Sequence, residues 1–375
     1  MQQTYFNKQL VLIGGGHANV QVLRKLCMNE YKDLNVILIS DDYRAIYSGM
    51  TPGFIKKLYS LDDISIDLQR LCFNAGATFI NDKVIKLDNQ NQIIHLNENP
   101  SVSFDVLSIN SGSISNNENI KIDDKSNIIS VKPINSFVSK LKVIDELIEK
   151  SSKRKISIIG GGVAAFELSL ALYKRYNENI SLEIISDQLL TEKNLNQLSI
   201  NTLKKIAKNL GIKLISKKVI AIKNSEINFE NNEKIKSELI LLSTGASLPV
   251  WLEESNLEKS ENFINVNHHL QSSNYKNIFI SGDAASIENF KKPKSGVMAV
   301  RQGEILKENL FLLLQKKPLK KFKPQKNWLY LIGTHKNSAV LNYFNFSFEG
   351  KWCWLLKKKI DFNFMKKFSF SDIKK

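Results

Sequence analysis

The stretch Val11-Leu12-Ile13-Gly14-Gly15-Gly16-His17-Ala18-Asn19 decides the fold, because the chain repeats it. The second copy reads Ile156-Ser157-Ile158-Ile159-Gly160-Gly161-Gly162-Val163-Ala164-Ala165. Each copy leads into a helical stretch and then a second apolar strand, Val36-Ile37-Leu38-Ile39-Ser40-Asp41 or Leu182-Glu183-Ile184-Ile185-Ser186-Asp187. Gly14 and Gly160, Gly16 and Gly162, and Ser40 and Ser186 all stand 146 positions apart. Two units of strand, glycine turn, helix and strand therefore share one internal length. The physics of each unit is that of a dinucleotide cradle. A buried strand ends in a turn too tight for a side chain, at Gly14 or Gly160. Gly16 or Gly162 lets backbone approach a pyrophosphate, and the next helix offers free N–H groups and its positive dipole end. One such turn is weak evidence; two, each set between strand and helix, are strong.

Both copies depart from the ideal pattern. The third small position is Asn19 in one and Ala165 in the other, and Asn19 predicts looser packing of helix on strand. Asp41 and Asp187, one step past the strand ends, are the candidates for ribose hydroxyls. No arginine follows Asp187, which favours NADH over NADPH, although Lys193 is near enough in sequence to meet a 2′-phosphate. Between the copies the pattern predicts a helix over 64–75 and strands over 78–80, 83–87, 93–96 and 104–109. The last strand ends in Asn110-Ser111-Gly112-Ser113. Residues 114–130 read as a linker. The second unit continues through a helix over 194–210, a hairpin over 219–229 and a strand over 239–242. It ends in Ser243-Thr244-Gly245-Ala246, so Gly112 and Gly245 close the two units alike. A second linker is predicted over 247–262.

At 375 residues, 43% hydrophobic and 24% charged, the chain has a globular composition, which excludes a disordered or fibrous protein. No apolar run approaches the roughly 18 residues of a membrane span. The first apolar run leads into glycines rather than a cleavage site, so no signal peptide is read. Cys27, Cys72 and Cys353 form no metal spacing and no disulfide framework, which points to the reducing cytoplasm. The net charge is +16, yet residues 315–375 alone hold fifteen lysines and three acids, or +12. The basic character belongs to one end of the chain, as a solvated face or as a seat for an anionic partner.

A further motif, Ser281-Gly282-Asp283-Ala284-Ala285 after the strand Asn277-Ile278-Phe279-Ile280, resembles the second FAD fingerprint of the two-dinucleotide-domain flavoproteins, the pyridine nucleotide-disulfide oxidoreductase superfamily. Ala299-Val300-Arg301-Gln302-Gly303 is similar to the helix start of type II NADH dehydrogenases. Tyr47-Ser48-Gly49-Met50-Thr51-Pro52-Gly53 and Lys351-Trp352-Cys353-Trp354 resemble the flavoprotein domain found fused ahead of selenide,water dikinase in some proteins. The resemblance implies an α/β fold with two Rossmann-like domains. An FAD domain over 1–115 and 263–320 would carry an inserted NAD(P)H domain over 131–246. A small C-terminal α+β segment, basic and aromatic, would follow over 321–375. It implies FAD and NAD(P)H as cofactors and an NAD(P)H dehydrogenase activity.

The site residues follow from the same match. Gly14, Gly16, His17, Ala18, Asp41, Gly112, Gly282 and Asp283 would hold FAD, with Asp283 on the ribityl chain. Gly160, Gly162, Asp187 and Gly245 would hold NAD(P)H, and Glu167 would face the nicotinamide. Lys294, Arg301 and Gln302 would cluster at a helix start, where positive charge stabilises electron density arriving on the flavin. Two departures narrow the chemistry. The region 42–59 has no cysteine, which argues against disulfide chemistry. Arg301 stands where the dehydrogenases have a first glutamine, which leaves the second acceptor open between a quinone and another oxidant, including one from selenium metabolism. A non-catalytic flavin or NADH sensor is the rival reading. His95, His268, His269 and His335 suggest no metal site.

Near the C-terminus Trp352, Leu356, Ile360, Phe364 and Phe368 recur every four residues. At 3.6 residues per turn this band winds around a helix rather than holding one face. With its lysines it suits either an anionic membrane surface, the cytoplasmic face of the inner membrane, or packing on the FAD domain. Lysine without arginine, and without a nucleic-acid-binding fold, argues against nucleic acid.

Overall fold

The computed structural model describes residues 8–29, 31, 33–123, 127–149, 153–192, 194–288, 290, 296–325 and 327–369. Lys193 and Lys294, both named above, lie outside them. The two glycine units build two five-stranded parallel sheets of one topology. In the first the strand order is Ile278–Ile280, Val106–Ile109, Lys8–Ile13, Leu34–Ser40, Thr78–Asn81. In the second it is Ile128–Ser130, Leu239–Leu242, Arg154–Ile159, Ile180–Ile185, Lys213–Ile215. The glycine strand is central in each, so both turns open at the carboxyl edge, where doubly wound sheets bind ligands. Leu10, Val11, Leu12, Ile156 and Ile158 are fully buried, as strands covered on both faces require. The first sheet takes its last strand from Ile278–Ile280, after the second sheet is complete. The chain crosses between the sheets twice, and the crossings pair as an antiparallel ribbon, Ile114–Ser115 with Ala246–Ser247.

Several sequence expectations need correction. The segment 114–130 is not a plain linker: Ile128–Ser130 is an edge strand of the second sheet, three residues long and so too short to show a period. The segment 247–262 contains a short helix, Val250–Glu253, and the hairpin strand Lys259–Ser260. The helix expected from residue 64 starts at Leu68, because Asp67 caps it by accepting the Arg70 N–H at 2.9 Å. Ser65–Asp67 is instead a strand against Arg44–Ile46.

Asn19 does not loosen its helix. It is fully buried, and its Nδ2 donates to the Ile13 and Gly14 carbonyls at 3.1 and 2.9 Å. Its Oδ1 accepts from Ser108 Oγ at 2.7 Å. Ser108 is the polar residue of the otherwise apolar strand Val106–Ile109. Asn19 and Ser108 therefore satisfy each other, and either one alone would leave a buried polar group costing about 1–3 kcal/mol.

The C-terminal part is a three-stranded antiparallel sheet, Leu329–Gly333, Ala339–Tyr343 and Phe346–Gly350, followed by the helix Lys351–Lys366. The winding band goes from outside to inside: Trp352 is 49% exposed, whereas Phe364 and Phe368 are buried. The inner face of the helix is Cys353, Trp354, Lys357, Asp361 and Phe364. Lys357 is thus withdrawn from the basic surface that the sequence suggested.

Candidate functional site

A cavity of about 1820 Å³ runs from the first glycine turn to the second. Gly14, Gly16, His17, Asp41, Gly112, Gly282 and Asp283 line one part, and Gly160, Gly162, Glu167, Asp187 and Gly245 another. The cradles fit dinucleotides on geometric grounds. A Cβ on Gly14, whose φ is +84°, would stand 2.5 Å from Ser111 Cα. One on Gly160 would stand 2.1 Å from the Ser243 carbonyl oxygen. By contrast Gly112 and Gly245 have nothing among the described residues within 4 Å of a Cβ position, so both closing turns offer bare backbone. Asp41 and Asp187 are exposed at the strand ends.

The structure places the other three residues named for the ligand site as follows. Ala18 does not line the cavity; it is fully buried and its N–H is taken by Asn110 Oδ1 at 2.8 Å. Gln302 is buried behind the Gly282 turn, and its Oε1 accepts the Gly282 N–H at 2.6 Å. It positions the turn that presents Asp283. Arg301 lines the cavity but lies six positions into its helix, exposed, with its guanidinium against the Gln325 amide.

Other residues escaped sequence reasoning. Lys132 Nζ donates to Asp283 Oδ2 at 2.7 Å and to Ser113 Oγ at 2.9 Å. This knot ties the returning FAD motif to the start of the second unit. Beside it, His17 Nε2 lies 3.2 Å from Ser48 Oγ, with the Tyr47 and Phe364 rings at 5.1 and 5.9 Å. Burial drives the His17 imidazole down to about 4, against a smaller upward pull from Asp283. The unfolded chain takes up this proton between pH 6.5 and 4 while the folded chain does not. Stability should therefore fall as pH drops through that window, by roughly 3 kcal/mol for such a shift. Urea unfolding between pH 7 and 4 checks this: His17→Phe should flatten the acid limb.

Below these rings lies a group of four ionisable side chains drawn from three parts of the chain, Lys56, Lys357 and Asp361 buried and Glu167 half-buried at the cavity. Lys357 Nζ donates to the Gly49 carbonyl at 2.7 Å and to Asp361 Oδ2 at 3.1 Å. Lys56 Nζ donates to the Thr334 carbonyl at 3.1 Å and sits 4.0 Å above the Trp354 ring centroid. Glu167 is no surface carboxylate: its Oε1 accepts the Gly333 N–H at 2.7 Å. Burial raises Glu167, only partly opposed by Lys357, the Gly333 N–H and Lys56. Burial lowers Lys56 to about 8. It would lower Lys357 too, but Glu167 and Asp361 outweigh it and hold that ammonium above its ordinary value. Glu167, Lys357 and Asp361 line the cavity, so the raised Glu167 carboxyl can hold and release a proton at its wall. Lys56 and Lys357 had no local signal, because a lysine's partner across the fold is not written beside it.

Residues 8–303 match the profile of the pyridine nucleotide-disulphide oxidoreductases. The chain belongs to this family. It is an oxidoreductase that uses FAD and a nicotinamide dinucleotide, on the two-dinucleotide-domain α/β fold. Among its relatives, ferroptosis suppressor protein 1 of Taeniopygia guttata is 24% identical over 353 residues, 88% of this chain and 87% of that one. NADH-rubredoxin oxidoreductase of Clostridium acetobutylicum is 28% identical over 299 residues, 79% of this chain and 73% of that one. The sulfide:quinone oxidoreductase structure from Aquifex aeolicus superposes with a TM-score of 0.77 at 20% identity, covering 98% of this chain and 92% of that one. Among the described residues no cysteine lines the cavity, no group of side chains could hold a metal, and no helix is long and apolar enough to cross a membrane.

Proposed function

We propose that the protein oxidises NADH through its FAD and passes the electrons to a quinone at a membrane surface. The first domain holds FAD and the second holds NADH, with Asp187 on the adenosine ribose. The flavin supplies hydride acceptance and electron release; the chain supplies position, water exclusion and protons. The observation that carries the reading is the group of half-buried Glu167 with buried Lys56, Lys357 and Asp361 beside the rings of His17, Tyr47 and Phe364. A quinone needs a flat apolar seat, and its reduction consumes two protons along with two electrons. Rings stacked at 4.7 Å, Tyr47 on Phe364, suit the seat, and the buried acids and ammonium groups suit the proton supply. The relation to a sulfide:quinone oxidoreductase fold agrees with it.

The membrane contact is supported by the outer side of the C-terminal part. Phe344, Phe346, Phe348, Trp352 and Leu355 are exposed there, at 59%, 71%, 52%, 49% and 62%. Lys358 and Lys359 are exposed on the same helix. Each buried ring would contribute on the order of 1.5–3 kcal/mol and each lysine about 1 kcal/mol at an anionic surface. The decisive test is stopped-flow reduction of the holoprotein by NADH and NADPH, followed by reoxidation with short-chain quinones, oxygen and selenium compounds. Quinone should reoxidise it fastest; slow reoxidation by every acceptor would favour a sensor. In parallel, the variant Phe344→Ser/Phe346→Ser/Trp352→Ser should lose co-sedimentation with anionic vesicles. Equal sedimentation of variant and parent would remove the membrane from the reading.

A further inference from the structure

The loop after the strand Ile180–Ile185 folds back over the second glycine turn. The Leu190 N–H donates to the Gly161 carbonyl at 2.7 Å, and Leu190 is buried. Two residues later Glu192 reaches the first turn of the helix Val163–Tyr176. Its Oε1 accepts the Val163 N–H at 2.6 Å and lies 2.9 Å from where a Cβ on Gly162 would stand. Its Oε2 is buried, without a hydrogen-bond partner among the described residues. A carboxylate thus holds an N–H that the cradle geometry directs at a pyrophosphate.

We propose that Glu192 is a built-in competitor of the dinucleotide: carboxylate and pyrophosphate contend for one N–H, and NAD(P)H binds by displacing Glu192. The inference rests on the reading of this helix as the NAD(P)H cradle. Two anions cannot share that donor, and each repels the other in a partly dry cavity. The unpartnered Oε2 makes release easier, because that oxygen regains hydration on leaving. The arm that moves is short. Leu190 fixes one end at Gly161. The other end is fixed to the C-terminal sheet, where Asn342 Nδ2 donates to the Asn194 carbonyl at 2.9 Å and the Asn196 N–H donates to Asn342 Oδ1 at 2.8 Å. Glu192 therefore sets nucleotide affinity without belonging to either glycine turn.

The test is equilibrium titration of the holoprotein with NAD⁺, ADP-ribose and adenosine, for the parent, Glu192→Gln and Glu192→Ala. ADP-ribose carries the pyrophosphate without the nicotinamide. Loss of the competitor should tighten NAD⁺ and ADP-ribose at least about fivefold in Glu192→Ala, the low end of coupling between two ligands. Glu192→Gln should fall between, and adenosine should not change. The glutamine variant keeps the capping oxygen and the shape, so it reports even where the alanine variant folds poorly. Unchanged or weaker binding of ADP-ribose in the variants overturns the competitor. A parent that binds neither NAD⁺ nor ADP-ribose would overturn the cradle assignment and the competitor with it.

Discussion

Gly162→Val should abolish reduction of the flavin by NADH while leaving FAD content at the parental level. The valine would stand where the second cradle brings backbone to the pyrophosphate. A displacement of the reacting ring by about 1 Å already costs about 10²-fold in rate, so a loss of at least that size is expected. The variant should still fold. Gly162 has φ −77°, which any residue adopts, and the nearest obstacle to its Cβ is the mobile end of Glu192. Gly160 and Gly161 offer no such test, because a Cβ there would meet the Ser243 and Gln188 carbonyl oxygens at 2.1 and 1.9 Å. Flavin absorbance after gel filtration, with stopped-flow reduction by NADH, decides it. Loss of FAD with retained NADH affinity would reverse the assignment of the two cradles.

Glu167→Gln should split the two half-reactions. Reduction by NADH should stay within a few-fold of the parent, whereas reoxidation by a quinone should slow by roughly 10²-fold, the lower range for loss of a positioned acid. Glutamine keeps an oxygen for the Gly333 N–H, so the C-terminal sheet stays in place. The rate of the second step should also lose whatever pH dependence the raised Glu167 carboxyl gives it. Lys357→Met is the poorer experiment. It would leave Asp361, whose side chain is 7% exposed, buried without its ion-pair partner, at a cost of about 3–5 kcal/mol. Equal slowing of both half-reactions in Glu167→Gln would mean that the carboxylate serves the nicotinamide rather than the acceptor.

The frame of this molecule was legible because it is written in short-range patterns. Two glycine turns and their flanking apolar strands each lie within a few dozen residues, and periodicity alone places them. What was illegible is long-range. Asn19 looked like a packing defect until Ser108 came to face it. Gln302 looked like a ring contact because its motif is local, but its partner, the Gly282 N–H, is twenty residues away. The group Lys56, Glu167, Lys357 and Asp361 is assembled from three distant segments, and no single window contains two of them except Lys357 with Asp361. That pair was visible at a spacing of four, yet a helical lysine and aspartate normally face water. Only the cavity on their side of the helix reveals that they face inward.

The C-terminal helix carries two unrelated tasks on one rod. Trp352, Leu355 and Lys359 point outward, while Trp354, Lys357 and Asp361 point inward. Substitutions on the outer face can alter what the protein adheres to without reaching its chemistry. Length has no such freedom. One residue inserted between Gly350 and Lys357 would turn everything beyond it by about 100°. That would swing Lys357 and Asp361 out of the cavity wall and bring neighbours such as Leu356 and Ile360 in their place. In a diverging lineage this short segment should thus accept many replacements and almost no insertions or deletions.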